Sequence, residues 1–584
     1  MSMHKIWSLR PPGDEAIINS LKSQLGVDEF IANLLFNRNI TTFEDARSFF
    51  RPSLQDVHDP FLMKDMDKAI DRISEALFNK QKILVYGDYD VDGTTSVATV
   101  WSFLTDLGIE CLMYLPDRYK EGYGISMQGV QHAADQGCNL MIALDCGIKA
   151  IEQIDKANSL GVDVIICDHH EPGDVLPKAM AVLDPKRKDC DYPFSGLSGC
   201  GVGFKMLHAL CIQQSLDLNR LWPYLDLLTI SIGADIVPMV DENRIFARYG
   251  LKLLLSNPRP GVQAIFETAG FRKSTITISD VVFILAPRIN AAGRIASAKD
   301  AVELLVAKDY AQAVQLSQQV EQSNTERRAF DKDFTLKAME QLAEDEFLQD
   351  SVSTVVRGDD WHKGVIGIVA SRLIEQKYRP TIVFTESKGV LSGSARSVEG
   401  IDVHELLHKC SDLLIQYGGH AMAAGMTMKP ENYQAFREKF DAEVKKVLGP
   451  ETLIPKIKID EEIALDHISD SNYKIIRQFA PFGPGNMKPI FLTQNLMDNN
   501  SRVVGADKTH LKLGVKETIT NHSKDGIAFG MASHYDSISK GDPFDIVYTL
   551  EENEWNGKTS IQLNVLDIKS GVASEAQLRQ GLEE

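Results

Sequence analysis

The sequence predicts an α/β protein: a parallel-sheet domain with helices on both faces, long connecting helices, a second α/β domain and a C-terminal β-barrel. Three observations predict this. Continuous apolar runs alternate with helix-like stretches between residues 80 and 240. Arg294–Arg357 contains neither Gly nor Pro. The last 130 residues switch to short segments of period-two alternation.

KILVYG (82–87), LMIALD (140–145) and VDVIICD (162–168) each carry a continuous apolar run, as strands buried on both faces should. Ser96–Leu107 and Ala150–Leu160 read as intervening helices, giving a βαβ pattern. The stretch free of Gly and Pro reads as long helices, one of them joining two domains. STVVRG, a helix through Gly367–Glu375 and RPTIVF then begin a second α/β segment, and GPETLIP reads as a linker. HLKLGVK, GIAFGMA, DIVYTLEENEW and TSIQLNVLDI read as strands of a small antiparallel barrel. Ile561, Leu563 and Val565 alternate with polar residues. Asn556-Gly557 marks a hairpin, because both positions accept positive φ. The expected division is an N-terminal segment (1–50), a catalytic domain (51–300), connecting helices (301–345), a second α/β domain (346–448), a barrel (455–570) and a flexible tail (571–584).

The chain has 584 residues, 44% of them apolar and 24% charged, so several cores can be buried. No apolar run approaches the roughly 18 residues that cross a bilayer, and the start lacks the apolar stretch of a secretory signal. A cytoplasmic location is the expectation. The eight cysteines form no CxxC pair, which argues against a disulfide framework or a zinc finger. The 62 basic and 81 acidic residues leave a net charge of −19, unusual for a nucleic-acid binder. Either most acids are solvated surface, or some hold cations that invert the local field.

The chemistry concentrates at strand ends. Asp88, Asp90 and Asp92 follow ILVY within five residues, and such a cluster needs a partner charge, for which a hard divalent cation is suited. An EF-hand requires Glu at loop position 12, where Thr99 stands, and a helix rather than a strand before the loop. Asp145 ends a second strand, and Asp168-His169-His170 ends a third. Asp235 follows a long apolar segment and reads equally well as a helix cap. In an open parallel sheet, ligands bind outside the carboxyl ends of the strands, so these side chains are expected to converge. Oxygen ligands with a little imidazole suit Mn²⁺ or Mg²⁺. Two such ions activate water and stabilise a leaving oxygen in phosphodiester hydrolysis. GxSxG, Walker A and HExxH patterns are absent. Gly199-Cys200-Gly201-Val202-Gly203 lacks dinucleotide-fingerprint spacing and is read as helix-start packing.

These residues resemble the DHH phosphoesterase superfamily and, within it, the RecJ family of single-strand-specific DNA exonucleases. The resemblance rests on GDYDVDG, PDRYKEGYGIS, ALDCGI, CDHHEP, ADIVPMVDENR, APRINAAGRI, WHKGVIGIVASRL, GSARS, GGHAMAAG and PFGPGN, in that order along nearly the whole chain. It implies a DHH domain, a DHHA1 domain over 346–450 and an OB-like end. It implies that Asp90, Asp92, Asp145, His169 and Asp235 hold two ions, with Asp145 between them and Asp88 a further candidate. His170 would touch the scissile phosphate and Asp168 would orient a neighbouring His. Tyr86 stands where many relatives carry His, which would leave one metal site weaker or more open. Ser394, Arg396, Gly418, Gly419 and His420, with Arg118, would hold the 5′ phosphate, and Arg288, Asn290 and Arg294 would contact the DNA backbone. Phe529 and Trp555 are candidate stacking aromatics of the OB-like end, with core packing the expected role for Phe529.

The implied activity is a 5′-to-3′ exonuclease on single-stranded DNA that releases 5′-mononucleotides in recombination and repair. It would act as a monomer, with a DNA helicase and a single-strand-binding protein as partners and no membrane. Two rival readings fit the same residues. One is a phosphodiesterase for short oligonucleotides or cyclic dinucleotides, from relatives that generally lack the long helices and the OB-like end. The other is a non-catalytic replication scaffold, which would have lost most of the metal ligands present here.

Overall fold

Five short, mainly apolar runs line up as a parallel sheet in the computed structural model, which describes residues 4–555 and 557–570. They are β1 (Ile83–Gly87), β2 (Cys111–Tyr114), β3 (Leu140–Leu144), β4 (Asp163–Cys167) and β5 (Ala181–Leu183). Their order across the sheet is β2-β1-β3-β4-β5. The helices of this region include α1 (Met66–Phe78), α2 (Val91–Asp106), α3 (Met127–Asp135), α4 (Ile151–Ser159), α5 (Gly199–Gln213) and α6 (Leu225–Ala234).

Successive strand side chains point to opposite faces, so each strand feeds two cores. Ile83, Val85, Ile142, Leu144 and Ile165 join a core with α1, α2, α5 and α6. Leu84, Tyr86, Met141, Val164 and Ile166 join another with α3 and α4. Burial on both faces is why these runs show no polar alternation. From β1 the chain first goes outward to β2, then returns past β1 to β3, so the strand order reverses between β1 and β3. Ligand sites in open sheets form at such a reversal.

The Gly- and Pro-free stretch is helical: after α7 (Ala286–Ile295) come a helix at Ala298–Val306 and then α8 (Tyr310–Glu344), 35 residues long. The chain divides into two units. One holds residues 51–328 and the segment 480–487, where the Met239 N–H donates to the Pro484 carbonyl at 2.6 Å.

The other unit holds the described residues of 1–50, 329–479 and 488–584. Its first sheet contains β6 (Thr354–Gly358), β7 (Thr381–Ser387), β8 (Val390–Arg396), β9 (Gln416–His420) and β10 (Ala423–Met428), ordered β9-β10-β8-β7-β6. Helix α9 (Ile366–Gln376) connects β6 to β7, which pair in parallel. The N-terminal strand Ile6–Leu9 pairs with Lys456–Ile459, and buried Trp7 donates Nε1–H to Asp567 at 2.8 Å. The N-terminal segment is therefore built into this unit.

The barrel consists of β11 (Phe491–Asp498), β12 (His510–Glu517), β13 (Ser523–Ala528), β14 (Phe544–Trp555) and β15 (Lys558–Ser570). It is closed, because β11 pairs with both β14 and β12. It is not wholly antiparallel: β13 and β15 run parallel, with Gly526 opposite Leu563. A ring of five strands cannot alternate direction all the way round, so one seam must be parallel. The expected strand GIAFGMA ends at Ala528. Trp555 pairs with Lys558 across a two-residue connection. Asn556 and the tail 571–584 lie outside the described residues. Among the described residues no helix is long and apolar enough to cross a membrane.

Candidate metal centre

The strand ends converge as the sequence pattern requires. Asp88 directly follows β1, and Asp90 caps α2 by accepting the Gly93 N–H at 3.0 Å. Asp92 lies in the first turn of α2, Asp145 follows β3, and Asp168-His169-His170 follows β4. Asp235 arrives differently, as the C-terminal cap of α6.

The geometry centres on His169. Its Nε2 lies 3.3 Å from Asp145 Oδ1, 3.6 Å from Asp235 Oδ2 and 3.7 Å from Asp92 Oδ2. None of these is a formed hydrogen bond: His169 Nε2 and Asp145 Oδ1 are buried without partners, as are both oxygens of Asp88. Unsatisfied buried polar atoms are costly, and four at one rim describe a ligand set. Asp92, His169 and Asp235 offer donor atoms within 4.8 Å of one another, and so do Asp145, His169 and His170. Asp88 and Asp90 fall outside both trios, though their charges act on Asp145.

Crowded carboxylates resist ionising. Burial, then the charges of Asp92, Asp90, Asp235 and Asp88, hold Asp145 well above the ordinary carboxylate range. Burial and Asp92 push Asp235 up to about 8. Asp88 is raised by burial and Asp90, and Asp90 by burial and Asp92. Burial lowers His169, outweighing the opposing pull of Asp92, which leaves its ring nitrogen available as a donor. Carboxylate oxygens with the imidazoles of His169 and His170, and no thiolate, fit divalent cations such as Mn²⁺ or Mg²⁺.

Asp92 is fixed by groups the sequence did not reveal. The N–H groups of Gly199 and Cys200, at the start of α5, donate to Asp92 Oδ2 and Oδ1 at 2.7 and 2.9 Å. Ser231 Oγ donates to Oδ1 at 2.7 Å. A helix N-terminus is suited to an anion, so the glycine-rich segment orients a carboxylate as well as packing. A Cβ at Gly199 would lie 2.5 Å from the Asp145 Cβ, so no larger residue fits there. Asp145 itself adopts a left-handed φ of 59°, uncommon outside glycine.

Asp168 organises His170. Its Oδ1 is 2.7 Å from His170 Nδ1 and accepts the His169 N–H at 2.8 Å, while Oδ2 accepts the Ile148 N–H at 2.9 Å. Burial works against a charged His170, but Asp168 outweighs it and raises the imidazole. Two further residues here escaped the sequence reading. Tyr123 Oη lies 3.0 Å from His170 Nε2. Asp184, buried at the end of β5, has its carboxyl pushed up to about 7 by burial. Glycines flanking Tyr123 and the strand-end position of Asp184 are the signals that could have found them.

The remaining expected residues divide between the two units. Tyr86 is buried, and its hydroxyl donates to the Gly124 carbonyl at 2.8 Å and accepts the Ser126 N–H at 3.1 Å. The Arg118 guanidinium stands 4.9 Å over the Tyr89 ring, beside the acidic loop. Arg288 is tied to Glu321 and to the Ile284 carbonyl, which pins α7 to α8. Asn290 and Arg294 lie on α7, half-buried. In the other unit, register places Gly425 opposite Ser394, Ala423 opposite both Arg396 and His420, and Ala424 opposite Gly419. Ser394 and Arg396 on β8 and Gly418, Gly419 and His420 on β9 therefore flank β10 from either side. Phe529 is not a core residue: it is 60% exposed in the turn after β13, because the strand ends one residue earlier. The side chain of Trp555 lies outside the described residues.

Comparison with known proteins agrees with this architecture. Residues 82–232 match the DHH family, N-terminal domain, residues 349–446 the DHHA1 domain and residues 459–567 the RecJ OB domain. The single-stranded-DNA-specific exonuclease RecJ of Bacillus subtilis is 39% identical over 98% of this chain and 71% of its own length. This chain belongs to the RecJ family. The RecJ of Dickeya dadantii is 32% identical over 88% of this chain and 91% of its own. The crystal structure of RecJ from Thermus thermophilus in complex with Mn²⁺ matches with a TM-score of 0.84 and 25% identity. That match covers 97% of this chain and 80% of that one, so the DHH sheet, the DHHA1 region and the OB barrel are RecJ architecture.

Proposed function

We propose that this RecJ-family chain is a metal-dependent exonuclease specific for single-stranded DNA, cutting 5′ to 3′ and releasing 5′-mononucleotides. The observation that carries the reading is His169 Nε2, faced at 3.3–3.7 Å by carboxylates from three other parts of the chain. Asp90, Asp92, Asp145, His169 and Asp235 would hold two Mn²⁺ or Mg²⁺ ions, with Asp88 a further ligand candidate. When bound, such ions lower the pKa of water and neutralise charge on a phosphodiester.

The chain's own residues do the rest. Asp168 holds the His170 ring, and His170 Nε2 meets an oxygen of the scissile phosphate. In the other unit Ser394, Arg396, Gly418, Gly419 and His420 bind a 5′ phosphate, for which a guanidinium beside a hydroxyl is suited. Asn290 and Arg294 contact the DNA backbone, and Arg288 supports them through α7. On this reading the work divides among a catalytic domain (51–300), a DHHA1 domain (346–448) and an OB-like domain (455–570). The setting is cytoplasmic DNA recombination and repair, with a helicase supplying the strand and a single-strand-binding protein holding it. Incubation of 5′-labelled single strands with Mn²⁺ should release labelled mononucleotide first. Equal degradation of blunt duplex, or activity surviving Asp145→Ala, would contradict the reading.

A further inference from the structure

Lys186 is a cation that the fold leaves unused beside an acidic rim. Parallel pairing sets Cys167 opposite Leu183, and the Asp168 N–H donates to the Leu183 carbonyl at 3.0 Å. The chain leaving β5 therefore starts out alongside Asp168-His169-His170. The turn that follows is pinned. Asp184 Oδ1 accepts the Lys186 N–H at 2.7 Å. The buried Arg187 guanidinium donates to the Val182 carbonyl, to Asp65 and twice to Asp189, at 2.6–2.9 Å. Arg187 thus serves the fold. Lys186 does not: among the described residues its ammonium makes no hydrogen bond. Its ion pair with Glu171 is loose, 3.9 Å from Nζ to Oε1, and both side chains reach solvent. Exposed pairs of this kind contribute little to stability.

The contact with Glu171 places the ammonium beside the residue that follows His170. Burial is the main influence on His169 and Asp235, but the Lys186 charge reaches both. A nucleic-acid strand is a polyanion, and here it must approach a rim built of carboxylates. A lysine suits that task, because its ammonium is a point charge on a flexible four-carbon stem. We propose that Lys186 binds the scissile phosphate of the strand, its ammonium moving from Glu171 to a non-bridging oxygen beside His170. The pinned turn fixes the root of the side chain, and the stem supplies the reach. The proposal rests on the reading of this rim as a nuclease centre.

The test compares Lys186→Gln and Lys186→Arg with the wild type in the full chain, with Mn²⁺ present. The probe is a 5′-phosphorylated single strand in which a methylene replaces the 3′ oxygen that would leave at the first linkage. That phosphate keeps its charge and is not cut. Binding is followed by fluorescence anisotropy as KCl is raised. Lys186→Gln should weaken binding about tenfold at low salt, as the loss of a charged hydrogen bond does. Its plot of log Kd against log salt should be shallower by about 0.7, the mark of one lost phosphate contact. Lys186→Arg keeps the charge and should keep the wild-type slope. A neutral methylphosphonate at the first linkage should erase the difference between the wild type and Lys186→Gln. Mn²⁺ affinity by calorimetry and Tm should not fall. An unchanged slope, or a difference that survives the methylphosphonate, would overturn the proposal. So would weaker binding that tracks a loss of Mn²⁺ affinity or a lower Tm. If the wild type fails to cut an ordinary strand, the functional reading fails, yet the binding measurements still decide whether Lys186 meets the phosphate.

Discussion

The Gly199 N–H donates to Asp92 Oδ2 at 2.7 Å, so the first residue of α5 holds a carboxylate 107 positions earlier in the chain. This one contact joins the glycine-rich helix start to the acidic loop and brings the helix within touching distance of Asp145.

Loosening Asp92 should weaken the cation site. Ser231→Ala removes one of three hydrogen bonds to this carboxylate. Groups that orient ligands typically contribute 10–100-fold to metal affinity, so a fall of about tenfold in Mn²⁺ affinity is expected by calorimetry. Gly199→Ala should be worse, because its methyl would overlap Asp145, and should lower Tm as well.

Stability should depend jointly on pH and cation. Asp145 and Asp235 have folded pKa values raised above the unfolded value near 4. Their contribution to stability is therefore present at low pH and lost as pH rises through the folded value, about 8 for Asp235. A bound cation removes this repulsion. Thermal melts should show a larger Mn²⁺-induced rise in Tm at pH 8 than at pH 5; equal rises would contradict the assignment.

The DHHA1 region should read the 5′ end. Arg396 Nη1 lies 3.2 Å from Ser394 Oγ and donates to the Ala395 carbonyl at 2.7 Å, a preset donor pair. Arg396→Lys loses the planar fork that suits phosphate. It should reduce the preference for 5′-phosphorylated over 5′-hydroxyl strands by about tenfold or more, measured as a ratio of kcat/KM, while leaving Mn²⁺ affinity unchanged.

The barrel should contribute one stacking contact. Phe529 is exposed, with His510 edge-on at 5.3 Å, and the Gly530 N–H donates to His510 Nδ1 at 3.1 Å, which steadies the turn. Base stacking is worth about 1–3 kcal/mol, so Phe529→Ala should weaken binding of a long single strand at least about fivefold by fluorescence anisotropy. Cleavage of a dinucleotide should not change.

Much of this was legible in the chain. Asp90, Asp92, Asp145 and His169 follow apolar runs, and parallel pairing carries every run end to one rim, so convergence could be argued without coordinates. Asp235 was harder, because it ends a helix and no strand rule applies. The cradle of Asp92 was invisible, since backbone N–H groups have no residue type, and GCGVG reads as packing until its partner is placed. Phe529 was misread because GIAFGMA alternates like a strand through its end, and nothing local says that pairing stops at Ala528. The parallel barrel seam depends on the number of strands in the ring, which short segments do not encode.

Anomalous scattering from crystals soaked in Mn²⁺ tests the central claim most directly. Peaks are expected bonded to His169 Nε2 and to the carboxylates of Asp92, Asp145 and Asp235. Peaks confined to other surfaces, with this rim empty at saturating Mn²⁺, would contradict it.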